Sequence, residues 1–169
     1  MKTNNRFTTE LFNDRDSAEK AYQDALESGY TKDDVNVIMS EDSKKKYYDS
    51  TLVRDEDGDK SMEGLSIGGA LGGVIGGTIA AIAAIGTSVI FPGLGLIVAG
   101  PLAAGLAGAG AGSISGGLIG SLIGWGIPEA RAKEYEAGIK SGGIVLGVNE
   151  PEEDTTDLEN KWRKYRNPL

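Results

Sequence analysis

Between Glu63 and Glu129 the sequence carries no charged side chain. This window, residues 64–128, is 65 residues long and holds 20 of the 26 glycines, with 11 Ala, 11 Ile, 8 Leu and 3 Val. Such a stretch has few ways to fold. Glycine costs a water-exposed helix about 1 kcal/mol per residue, and a run this apolar has to be covered. The cover is lipid or other copies of the chain. All 17 Lys+Arg and 25 Asp+Glu therefore sit on the flanks. Residues 1–63 carry 10 basic and 16 acidic side chains, and residues 129–169 carry 7 and 9.

The glycines in the window are spaced. Gly64, Gly68, Gly72 and Gly76 fall four residues apart, and so do Gly108, Gly112, Gly116, Gly120 and Gly124. On a helix this makes a stripe that drifts by roughly 40° per step, and doublets such as Gly68-Gly69 and Gly116-Gly117 widen it. In hydrocarbon the backbone must satisfy itself as helix, and glycine lets two helices approach closely. The two registers also mirror each other about residue 94. Folded as an antiparallel helical hairpin, Gly64 faces Gly124 and Gly76 faces Gly112. The turn then falls at Pro92, Gly93 and Gly95. Arms of 27 residues, 64–90 and 101–127, would each reach roughly 40 Å, enough for a hydrocarbon core of roughly 30 Å. Lys44, Lys45, Lys46, Arg54 and Lys60 precede the hairpin and Arg131, Lys133 and Lys140 follow it. The positive-inside tendency then puts both ends in the cytoplasm. Trp125 stands where an interfacial anchor would.

The flanks read as halves of one soluble α+β domain. In RFTTELF, Phe7, Thr9 and Leu11 alternate as in a strand. Asn13 or Asp14 caps a helix whose Ala18, Ala21, Tyr22, Ala25 and Leu26 share one face, and Gly29 stops it. Val35, Val37 and Met39 alternate in a second strand, and a strand–helix–strand unit implies a parallel pair. Residues 41–63 read as a charged linker. Beyond the window, Pro128 opens a helix with Ala132, Tyr135 and Ile139 on one side. Residues 144–148 form a buried strand, and a last helix carries Leu158, Trp162 and Tyr165. A unit of about 40 residues is too small to hold a core alone, so residues 1–40 and 129–169 should pack together. The expected fold is a small split ferredoxin-like sandwich, β-α-β then α-β-α, interrupted at 64–128 by a glycine-zipper helical hairpin.

Chemistry is sparse. A net charge of -8 disfavours nucleic acid. The absence of Cys and His removes thiolate metal sites, Cys nucleophiles and the commonest general base. An EF-hand loop starting at Asp55 fails, because Lys60 and Ser66 stand where Gly and Glu are needed. P-loop and nucleophile-elbow patterns are absent. No catalytic, metal or cofactor-binding residue is expected, nor any small-molecule substrate. The N-terminus lacks the apolar core of a signal peptide.

The text FPGLGLIVAGPLAAGLAGAGAG, followed by GGLIGSLIGWGIPEARAKEYEAGIKSGGIVLGV, resembles a bacterial family of general-stress and low-temperature-induced proteins. The opening strand, helix and VNVIM strand resemble the family's first unit, so the likeness runs from about Arg6 to Val148. It implies stress induction and membrane association, and carries over no catalytic residue. The expectation is thus a non-enzymatic stress protein of the bacterial cytoplasmic membrane, self-associating through its zippers. One alternative is a soluble particle or filament in which the hairpins bury one another. A pore is a third reading, disfavoured because no charged residue could line it.

Overall fold

The computed structural model describes residues 6–49, 89–91, 95–103, 117–150 and 158–166. Its elements run β1 (Arg6–Phe12), α1 (Arg15–Glu27), β2 (Val35–Ser40), α2 (Glu41–Lys44) and a π-helical turn (Lys45–Asp49). There follow β3 (Val89–Phe91), β4 (Leu96–Ala99), α3 (Gly117–Gly124), α4 (Glu129–Lys140), β5 (Ile144–Glu150) and α5 (Leu158–Arg163). The class is α+β, with one five-stranded sheet in the order β1-β5-β2-β4-β3 and every neighbouring pair antiparallel.

Local chemistry accounts for the helices. Asp14 caps α1, its carboxylate accepting from the Ser17 amide at 2.8 Å. The chain leaves α1 through Gly29 at φ 96°, with the Tyr30 amide returning to the Ala25 carbonyl. Pro128 sits at the N-cap of α4 with Glu129 in its first turn, and Gly142 at φ 102° follows its end.

Strand β5 inserts between β1 and β2. The register runs from Phe12↔Ile144 to Arg6↔Glu150 on one side and from Met39↔Ile144 to Val35↔Val148 on the other. The two flanks of the sequence are therefore interleaved, strand by strand. The expected parallel pair is present only in direction: β1 and β2 run the same way but are split by β5, as in a split βαβ unit.

The structure departs from the expected sandwich in two further ways. Helices cover both faces of the sheet. Phe12, Val37, Met39, Ile97, Ile144 and Leu146 pack with α1, Leu158 and Trp162 on one face. Leu11, Ile38, Leu96, Val98 and Val145 pack with Leu118, Leu122, Tyr135 and Ile139 on the other. Alternate residues of a strand point to opposite faces, so these are two cores separated by the sheet. The layering is helix, sheet, helix.

The second departure is at residues 89–99. The turn expected between two helices joins two strands instead, with Phe91↔Leu96 and Val89↔Val98 paired. Strand β4 then pairs with β2 from Val37↔Ala99 to Ser40↔Leu96. The middle of the uncharged window thus supplies two strands to the same sheet as the charged flanks. The charged linker also starts later than expected, because residues 41–49 are helical.

Candidate functional site

Nothing among the described residues groups the ligands a metal ion needs. The candidate site is the place where the uncharged window joins the sheet, and Asn36 is its centre. Asn36 is 1% exposed in β2. Its amide Nδ2 donates to the Gly147 carbonyl of β5 at 3.2 Å, and its Oδ1 accepts from the Leu102 amide at 2.8 Å. Residues 101–103 are helical, with the Ala103 amide donating to the Gly100 carbonyl at 3.0 Å. Asn36 therefore does from a distance what an N-cap side chain does locally, satisfying an orphan amide of a helical first turn.

Gly100 makes the approach possible. Its φ is 98°, and a Cβ there would lie 2.5 Å from the Val35 carbonyl oxygen. At the other end of β4, the Glu41 amide donates to the Gly95 carbonyl at 2.8 Å, and Gly95 itself turns at φ 61°. The window is fastened at both ends of β4, to β2 at one and to the start of α2 at the other.

Of the expected zipper residues, Gly64, Gly68, Gly72, Gly76, Gly108, Gly112 and Gly116 lie outside the described residues. So do Pro92 and Gly93 of the expected turn. Gly120 and Gly124 lie on α3, where Leu118 and Leu122 face the sheet. A Cβ at either glycine would meet nothing within 4 Å. Ile123 beside them is 43% exposed. Trp125 follows α3 and packs half-buried against the core that holds Leu122 and Tyr135. No helix among the described residues is long and apolar enough to cross a membrane.

Glycines outside the zippers carry the tightest packing. A Cβ on Gly138 would fall 2.2 Å from Leu11 Cδ2, and one on Gly143 would fall 2.9 Å from the Gly138 carbonyl and 3.0 Å from that of Phe12. These residues belong to the YEAGIKSGG segment. Here they let α4 lie close on β1, with Tyr135 donating to the Thr9 carbonyl at 2.9 Å and lying 3.0 Å from the Thr9 hydroxyl.

The titratable groups are held rather than presented. Burial pushes the Tyr135 hydroxyl up to about 12, against the opposing effect of the Thr9 hydrogen bond. Burial, with the Glu19 and Asp33 charges, also raises Tyr22 to about 12. Both stay neutral at physiological pH. Their hydroxyls differ in one respect: that of Tyr22 is buried with no hydrogen-bond partner among the described residues. Tyr22→Phe is accordingly expected to leave stability unchanged or raise it slightly, whereas Tyr135→Phe should cost about 1 kcal/mol by orphaning the Thr9 carbonyl. Urea melts of the two variants check this; equal losses would contradict it.

A second polar cluster surrounds Glu10. Its side chain is 3% exposed on β1 and lies 3.7 Å from Arg131 Nη2 and 3.8 Å from Arg166 Nε. Sequence pattern alone missed Glu10 and Asn36. Each stands at an alternating position that reads as solvent-facing, but both faces of these strands are covered.

Compared with known proteins, the chain matches no family model, no curated protein and no solved structure.

Proposed function

We propose that the protein is a non-enzymatic, self-associating protein whose uncharged glycine-rich segments, anchored on its own sheet, pack against those of other copies. The observation that carries this reading is the β2–β4 pairing, which ties the middle of the window to the charged flanks. Chain reach supports it. Residues 104–116 leave from Ala103 and return to α3, and both ends contribute to one core. Thirteen residues span at most about 45 Å, less than the roughly 60 Å of two bilayer crossings. Residues 64–88 are long enough for one helical crossing but short of the roughly 40 residues that two would take. A single crossing would part β3 and β4 from β2. Burial against copies therefore fits better than a spanning hairpin with its tip across the membrane. A stress-associated role rests on the family resemblance.

A membrane-associated form is the second reading, favoured by 25 consecutive uncharged residues at 64–88. Sedimentation of detergent-free protein tests the first reading. Assemblies well above the 17.6 kDa monomer are expected, and Gly72→Leu with Gly116→Leu should disperse them. A monomer at tens of micromolar would sink it. Carbonate extraction separates the second reading, which requires the protein to stay with the membrane pellet.

A further inference from the structure

The Glu10 cluster joins parts of the chain that the sheet does not. Glu10 lies on β1, at one edge of the sheet, with Leu146 of β5 as its register partner. Arg131 and Glu134 come from α4, on one face of the sheet. Arg166 follows α5, which lies on the other. Arg166 reaches Glu10 at 3.8 Å and also pairs with Glu134, while Arg131 reaches Glu10 at 3.7 Å. The cluster is a clasp closed around the edge of β1. Its members are unequal in burial: the Glu10 side chain is 3% exposed, against 34% for Arg131 and 43% for Arg166. One Glu10 oxygen, Oε2, is buried with no hydrogen-bond partner among the described residues. The other accepts from the Leu11 amide at 3.2 Å.

We infer that Glu10 is the charged catch of a C-terminal latch: its carboxylate holds α5 on the sheet through Arg166, and loss of that charge releases the helix. The asymmetry in burial gives the direction. With the Glu10 charge removed, both arginines can turn to water, so the cost falls on docking of the helix rather than on the whole core. What α5 covers is apolar. Trp162 and Leu158 are fully buried, Trp162 packs edge-on to Phe12 at 5.9 Å, and its indole donates to the Ala21 carbonyl at 2.8 Å. Release would uncover Phe12, Ala21 and Ala25 on the α1 face. The groups facing Glu10 are Arg131, Glu134 and Tyr135 from α4 and Arg166 after α5.

Hydrogen exchange on the full chain tests the latch. In Glu10→Gln, exchange across residues 158–166 and at the Trp162 indole should quicken at least tenfold, with β5 amides unchanged. Arg166→Met, which keeps the apolar stem, should quicken the same segment. Unchanged exchange in Glu10→Gln would overturn the inference. Equal acceleration of α5 and β5 would also overturn it, since Glu10 would then support the whole fold.

Discussion

Replacing Trp162 by alanine is expected to cost about 3–5 kcal/mol of stability, the range for deleting a large buried aromatic. Three losses coincide. The indole is fully buried, it meets Phe12 edge-on, and its N–H has a partner in the Ala21 carbonyl. The cavity would open between α1 and the sheet, where Phe12, Ala21 and Ala25 have no side-chain volume to spare. Trp162→Phe should recover part of the loss, because an aromatic ring still fills the space and only the N–H bond is gone. Denaturant melts of the three proteins measure this. A loss below about 1 kcal/mol for the alanine variant would mean that α5 is not docked as described.

Gly100→Ala is the second large expectation, at about 2–5 kcal/mol, combining an unfavourable φ with overpacking. The added methyl would sit 2.5 Å from the Val35 carbonyl oxygen and 3.0 Å from the Asn36 Cα. Both are backbone of a central strand, so neither can move aside cheaply. The result should be local before it is global: β4 lifts from β2 and the Leu102 amide loses the Asn36 oxygen. Amide exchange in β4 should therefore rise more than in β1 or β5. A variant with wild-type stability would show that the window does not lie against β2.

These two residues also show what could be read without a structure. The face of α1 was legible because Ala18, Ala21, Tyr22 and Ala25 recur at helical spacing, and all four are buried. Trp162 and Leu158 were legible as one side of a last helix, though not what they would cover. Strand β3 was not legible. Its three residues, Val89–Phe91, lie between two glycine registers that both point to helix, and its place depends on a sheet that also includes distant β2. The insertion of β5 was hidden for a related reason. Alternation says that a segment is a strand and which face is buried; it does not say which strand lies beside it. Gly100 and Gly138 look like any other glycine in a glycine-rich sequence. Only the backbone oxygen or leucine side chain each one meets sets it apart from Gly120 and Gly124, which meet nothing.

The central place of β5 bears on how the protein is made. Synthesis runs from the N-terminus, so β1 and β2 leave the ribosome with an empty slot between them. Ile144 is roughly a hundred residues after Ser40, a wait on the order of 5–20 s at typical translation rates. Throughout that wait the uncharged window emerges, and the sheet that will take its hairpin is still open. The nascent protein therefore passes through an obligatory period in which its most insoluble stretch is offered to chaperones, lipid or neighbouring chains. A ribosome stalled before Ile144 would hold it in that state.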